Sequence, residues 1–391
     1  MTGDPLRIGV VAPPFIPIPP EGYGGIERVV ALLVEGLARR GHAITLFAAP
    51  GSSASARLVI PLTSAALLGD PSSVHEEAFH VTTAYLRADE FDVIHDHTWL
   101  GPMLGAQVSH RVPVVHTLHG PWTPLARRLY GLIHDRVRLV AISRTQRFDN
   151  PDLSYAGIVY NGIDLAEYPF REVKEPYLVF MGRVSPEKRP EVAIDIARRA
   201  GLPLVMMVKR SEPFEQEYWD QVVAPVLGPD IEVLDQPPQD VKVDILGRAR
   251  AMLFPIDWSE PFGIVMLESM ACGTPVIARP LGAAPEVVLD QVTGALCSTS
   301  QEMVDAVATI DSIRPIDCRS RVQRKFSAEA MVSGYERIYR RAATATERRR
   351  EKATIARLPQ RPSTLDPLAK GHNGPLPSAS ASSSGTSTST H

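Results

Sequence analysis

Twice along its length the chain alternates short apolar runs rich in β-formers with stretches of helical period, and that alternation leaves few folds open. The first set reads as strands in "LRIGVVA", "AITLFAA", "FDVIHDH", "VPVVHTLH", "RLVAIS" and "AGIVYNG". Helical segments separate them. The clearest runs from Ile26 to Arg40, where Ile26, Val29, Val30, Leu33 and Leu37 share one face and Gly41 stops the helix. Strands that are apolar on both faces and joined by helices predict parallel sheets covered on both sides. The pattern pauses over residues 161–177, "NGIDLAEYPFREVKEPY", and restarts with "YLVFMGR", "LPLVMMVK", "IEVLD", "AMLFPI" and "TPVIAR". The expected fold class is α/β, with two tandem Rossmann-like, doubly wound domains over residues 1–165 and 166–326. Ligands of such folds bind at the carboxyl ends of the strands, here in an interdomain cleft. A length of 391 residues suits two domains of roughly 150 each.

The amphipathic segment "SAEAMVSGYERIYRR", from Ser327, has no strand after it, which predicts a helix over about 327–343 packing back on the first domain. Residues 344–391 turn basic and then Ser/Thr-rich, so a disordered tail is expected there. Net charge is −3, with 22% charged residues, and carries no footprint for nucleic acid. No apolar run approaches the roughly 18 to 20 residues that a bilayer crossing needs, and the amino terminus lacks the charged start of a signal peptide. Cys272, Cys297 and Cys318 have no metal spacing and suit a reducing compartment. The expected location is cytoplasmic. The basic tail reads more simply as solvated than as a weak peripheral contact with anionic lipid at the inner face of the membrane.

The chemistry-bearing motifs lie where the cleft is expected. In "GVVAPPFIPIPPEGYGGIERVV" the loop is long and proline-rich, without the tight GxGxxG of a dinucleotide-binding enzyme. Gly24 and Gly25 directly precede the helix, where they would admit a phosphate to backbone N–H groups or simply supply positive φ. His95, His97, His116 and His119 fall at strand ends, but no acidic partner is fixed by spacing, so a zinc site is not expected. His119, before Gly120, is the candidate for a hydrogen bond into the cleft. "FMGRVSPEKRP" places Arg183 and Lys188 just past a strand, as a solvated capping sequence or as a clamp for a diphosphate.

The segment "WSEPFGIVMLESM" carries Glu260 and Glu268, with an apolar run between them. An acid at a helix mouth gains about 0.3 to 1 kcal/mol from the macrodipole, which accounts for Glu260. It does not account for Glu268, which interrupts an apolar face and must find a partner or face the cleft. Carboxylates accept from vicinal hydroxyls, so one acid suits a ribose and the other a hexose.

The ordered set "GYGGIERVV", "VVHTLHG", "VYNGID", "GRVSPEKR", "EPFGIVMLESMACGTPVIA" and "GAAPEVV", spread over about residues 6–341, resembles the retaining glycosyltransferases of family 4, the bacterial-type group 1 enzymes with the GT-B fold. The resemblance implies transfer of a hexose from a nucleoside diphosphate sugar to an acceptor hydroxyl, with retention. It implies that Arg183 and Lys188 hold the donor diphosphate, which Gly25, with Gly24, lets the first domain approach. By the same likeness Glu268 holds the ribose. Glu260 and the N–H groups of Phe262, Gly263 and Ile264 meet the donor sugar, and His119 lies beside it. Arg183, Lys188, His119 and Glu260 are the catalytic candidates. No DxD signature stands at a strand end, so neither metal nor cofactor is expected beyond the donor. The acceptor, whether a sugar, a lipid-linked glycan or a small molecule, is not legible, nor is the donor's base. Ala283 replaces a glycine usual after Gly282, with Glu286 kept, and Arg189 stands in "EKR" where "EKG" is commoner. Lys209 and Arg210, in the loop Val208 to Pro213, read as solvated, with phosphate contact the second reading. A non-hydrolysing sugar-nucleotide epimerase and a non-catalytic sugar-nucleotide-binding protein are the rival functions.

Overall fold

A computed structural model describes residues 4–22, 24–66, 70 and 72–357, with side chains to residue 346. The first six apolar runs become β1 (Arg7–Val11), β2 (Ala43–Phe47), β4 (Val93–Asp96), β5 (Val114–Leu118), β6 (Arg138–Ala141) and β7 (Tyr155–Ile158), and a further edge strand, β3 (Arg57–Val59), joins them. They form one sheet in the order β3-β2-β1-β4-β5-β6-β7. The five runs of the second set become β8 (Glu175–Arg183), β9 (Leu204–Lys209), β10 (Ile231–Asp235), β11 (Ala249–Phe254) and β12 (Val276–Ala278), and the short β13 (Gly294–Leu296), not marked in sequence, completes the order β10-β9-β8-β11-β12-β13. Every pairing is parallel. These are the two doubly wound, Rossmann-like domains expected from the alternation.

Strand order reverses beside β1 in one sheet and beside β8 in the other, so loops leaving those strands diverge and open crevices at their carboxyl ends. The sheet centres are fully buried at Ile8, Val10, Leu178, Val179, Met252 and Leu253. Both sheets belong to one compact unit, Met1–Arg349. The variable stretch 52–86, without a motif in sequence, contributes edge strand β3 and a helix, Ser73–Tyr85. Both escape a periodicity reading because β3 is only half-buried and the helix buries Glu77 and His80 alongside Val81, Ala84 and Tyr85.

The last helix, Ala328–Arg357, inserts Met331, Val332, Tyr335, Ile338 and Tyr339 into the core of the first domain. Tyr335 OH lies 2.9 Å from Thr117 Oγ1, and Tyr339 OH lies 2.6 Å from His95 Nδ1. The helix runs on to Arg357 where a disordered tail was expected from residue 344, which corrects that boundary. Its continuation, "TATERRREKATIAR", is made largely of strong helix formers, and composition-based disorder misses local propensity of that kind. The rest of the expected tail, 358–391, lies outside the described residues.

Candidate active site

The carboxyl ends of the two sheets face a cavity of about 450 Å³. His97, Trp99, His119 and Trp122 line it from the first domain, and Arg183, Lys188, Trp258 and Glu260 from the second. A smaller cavity of about 120 Å³ adjoins it, with Gln239, Lys242 and Glu268 in its wall. Gly25, Met181, Gly182, Ile264 and Val265 line both cavities, so the two are continuous at the start of the Gly25–Arg39 helix. Gly24 borders only the smaller one, where a Cβ would meet Pro20 Cβ at 2.7 Å.

The two glutamates divide between these cavities. Glu260, only 8% exposed, accepts hydrogen bonds at Oε2 from Lys188 Nζ and from Trp258 Nε1, the latter at 2.9 Å. Glu268, 4% exposed, accepts at Oε1 from Tyr168 OH and Lys242 Nζ, each at 2.7 Å. In both, one oxygen carries the internal bonds, and among the described residues the other has no hydrogen-bond partner. The partners of Glu268 were not found by sequence reasoning. Tyr168 is 100 residues away along the chain and Lys242 is 26 away, with no local signature linking them.

The loop that presents Glu260 is built around two glycines. Gly263 caps the Ile264–Ala271 helix at φ 78°, a left-handed conformation, and with Phe262 and Ile264 it lines the larger cavity. Gly282 has φ 57°, and a Cβ there would lie 2.2 Å from Glu260 N. The neighbouring Ala283, at φ −80°, donates its N–H to Glu260 O at 2.8 Å. Position 283 thus has no need of glycine, which resolves the departure noted in sequence. Arg189 does sit at φ 56°, the conformation that favours glycine, and pairs with Glu191 and Asp257.

The cations are paired with carboxylates. Arg183 pairs with Glu187 at 3.0 Å and lies 3.9 Å from buried Glu215. Lys188 Nζ also sits 4.9 Å from the Trp258 ring centroid. Lys209 borders the smaller cavity, pairing with Glu215 at 3.1 Å, whereas Arg210 pairs with Asp235 at 2.9 Å.

The four histidines are wired into the first domain. His119 Nε2 is 2.9 Å from His97 Nδ1, His95 Nε2 is 2.7 Å from Thr117 Oγ1, and His116 Nε2 is 2.8 Å from Tyr130 OH. Burial, followed by the nearby His116, pushes His119 down to about 3, so a neutral imidazole borders the cleft.

One contact across the cleft was also missed. Glu286, in the second domain, accepts from Arg144 N at 2.8 Å, Thr145 N at 2.7 Å and Tyr160 OH at 2.7 Å, all in the first domain's sequence. These partners lie more than 120 residues away, beyond any local pattern.

Two facing Rossmann-like domains, with cations and carboxylates along the cleft between them, are the arrangement of the GT-B glycosyltransferases. Residues 23–167 match "Glycosyltransferase Family 4" and residues 166–323 match "Glycosyl transferases group 1". The chain belongs to the group 1 glycosyltransferases of family 4. It is 27% identical, over 78% of its length and 82% of the relative's, to D-inositol 3-phosphate glycosyltransferase of Mycobacteroides abscessus. Among solved structures it resembles AviGT4, a glycosyltransferase involved in avilamycin A biosynthesis, at TM-score 0.66 and 26% identity, covering 87% of this chain and 99% of that one. Anabaena HepE in complex with UDP-glucose shares the fold, at TM-score 0.65 and 19% identity, over 88% and 99% of the two chains.

Proposed function

We propose that this glycosyltransferase moves a hexose from a nucleoside diphosphate sugar to an acceptor hydroxyl, with retention at the anomeric carbon and with neither metal nor cofactor. One observation carries the reading: two continuous cavities, each with a half-satisfied buried glutamate, joined at the Gly25 helix start. The larger has room for a sugar and its acceptor, the smaller for part of a nucleoside. Glu268 Oε2 is available to vicinal ribose hydroxyls while Tyr168 and Lys242 fix Oε1. Glu260 Oε1 is likewise available to the donor sugar. HepE, which shares the fold, is recorded with UDP-glucose, and the mycobacterial relative is named for glycosyl transfer.

In this scheme the bond between the anomeric carbon and the diphosphate oxygen breaks through an oxocarbenium-like state. The acceptor oxygen forms the new bond on the same face, and its proton passes to the departing phosphate. Arg183 and Lys188 stabilise the negative charge that develops there. Neutral His119 borders the same cavity as a hydrogen-bonding group for the transferred sugar. Neither the epimerase nor the non-catalytic reading is favoured. We place the reaction in the cytosol, with the basic segment after residue 346 solvated as the first reading and a weak peripheral contact with anionic lipid as the second; among the described residues no helix is long and apolar enough to cross a membrane.

The test is donor turnover by the Lys188→Ala variant, which should fall about 30- to 1,000-fold, equivalent to roughly 2 to 4 kcal/mol. Turnover near the parental rate removes the clamp. Unchanged activity in EDTA and a product with the donor's anomeric configuration would support the metal-free and retaining parts. An epimerised sugar nucleotide formed without acceptor would establish the rival.

A further inference from the structure

The two walls of the larger cavity differ in charge. Both cations that line it, Arg183 and Lys188, come from the second domain, and both are already paired with carboxylates. Among the described residues, no lysine or arginine of the first domain lines it. The undescribed residues between 4 and 346 are Tyr23, Leu67, Leu68, Gly69 and Pro71, none of them cationic. Arg127 lies outside the lining, its guanidinium 5.9 Å from the Trp122 ring centroid and donating to the Asp149 carbonyl.

The charged residues of that wall are two carboxylates. Glu77 is occupied, accepting at Oε1 from Trp99 N at 2.7 Å and Leu100 N at 3.1 Å. Glu27 stands in the first turn of the Gly25–Arg39 helix, 5% exposed, with no cation in ion-pair range among the described residues. Burial pushes its carboxyl up to about 7. The rest of that wall combines aromatic and apolar side chains, Trp99 and Trp122 among them, with the uncharged polar groups of Thr98 and Asn161 and the histidines His97 and His119. Trp99 is 54% exposed, and a Cβ at Gly120 would lie 3.3 Å from its ring. Trp122 is pinned by donating Nε1–H to Gln146 O at 2.6 Å and meets Tyr130 edge to face at 5.7 Å.

We propose that this wall is the acceptor subsite and that it takes an uncharged carbohydrate, seated on the indole faces of Trp99 and Trp122 and hydrogen-bonded to Glu27. The proposal rests on the transferase reading above and names the acceptor class for it. A neutral pyranose presents a C–H face to an indole and hydroxyl donors to a carboxyl group. A phosphorylated acceptor would shed its hydration beside Glu27; among the described residues no first-domain cation lines this cavity, and Arg28, in the wall of the adjoining one, is already paired with Glu167. The two cations across the cleft face the donor diphosphate in the proposed mechanism and are not left over for a second anion.

The test uses the full chain and two matched probe sets, neutral methyl hexopyranosides against hexose 6-phosphates and inositol 3-phosphate. Binding is titrated in the presence of UDP, and transfer is assayed with a panel of sugar nucleotides. Neutral acceptors should bind or react at least about tenfold better, a difference of about 1.4 kcal/mol. The Trp99→Ala variant should raise acceptor KM about tenfold or more while the nucleotide Kd stays within about twofold. Glu27→Lys should narrow or reverse the preference. Preference for the phosphorylated probes, binding of no neutral sugar, or equal loss of nucleotide and acceptor affinity in Trp99→Ala would each overturn the proposal. Failure of the transferase reading looks different: no nucleoside diphosphate binds and no sugar nucleotide is consumed, whichever acceptors bind.

Discussion

Glu27 shows how one side chain can combine a structural cost with a use. Its carboxyl titrates near 7 in the folded chain because burial disfavours the charged form, against 4.5 for an ordinary glutamate. A raised folded value means that stability is fully present below the unfolded value and is lost as pH rises through the folded one. Glu27→Gln should therefore stabilise the protein relative to the parent by about 2 kcal/mol more at pH 8 than at pH 5, read from denaturant midpoints. An equal effect at both pH values would mean that the carboxyl is solvated. Arg189 makes the opposite trade, a left-handed residue supported by exposed ion pairs. Arg189→Gly should change stability by less than about 1 kcal/mol and leave donor turnover within about twofold, since strain relief and lost pairing offset each other. Sequence reading marked Arg189 as a departure but could not see its φ. It singled out Glu260 and Glu268 because packing could not explain both, yet the partners that orient them became visible only in the fold.

At the scale of the element, the turn after β12 holds the loop that carries Glu260. Gly282 has the left-handed φ and the close approach to the Glu260 backbone, whereas Ala283, at the cap of the following helix, has an ordinary right-handed backbone and is buried. Gly282→Ala should lower stability by about 1 to 3 kcal/mol and reduce turnover, because the Glu260 loop must shift. Ala283→Gly, in contrast, should cost no more than about 1 kcal/mol and keep turnover within about twofold. The same turn leads into the short Ala284–Val287 helix, whose Glu286 joins the domains through Arg144, Thr145 and Tyr160. Glu286→Ala leaves several donors without their acceptor, each worth about 1 to 3 kcal/mol where water cannot replace it. A lowered melting temperature with reduced turnover is the expected outcome, and Glu286→Gln should recover part of both. A melting temperature equal to the parent's would show that water satisfies those donors.

Across the whole molecule, buried neutral histidines set the acid limit of stability. Burial lowers His80 to about 4 and His119 to about 3, from 6.5. Depressed folded values give stability that is present above the unfolded value and lost as pH falls toward the folded one. In a Glu27→Gln background, which removes the opposing carboxyl, stability should drop by about 2 to 4 kcal/mol between pH 7 and pH 5. A flat denaturant midpoint over that interval would show these imidazoles to be hydrated. The last helix belongs to the same network, since Tyr339 reaches His95 across 244 positions of sequence. The sequence by itself determined two parallel sheets and marked Gly25, Arg183, Lys188, Glu260 and Glu268, which line the two cavities, but it passed over Glu27 and Glu77 in the larger one. Hydrophobic period and turn chemistry are local and survive in one dimension. Only the tertiary structure decided which oxygen of each glutamate is already used, which carboxylate ties the domains together, and that among the described residues no cation stands on the first-domain wall of the larger cavity. Those properties are made by side chains tens to hundreds of residues apart, and their energies depend on burial that the linear chain does not have.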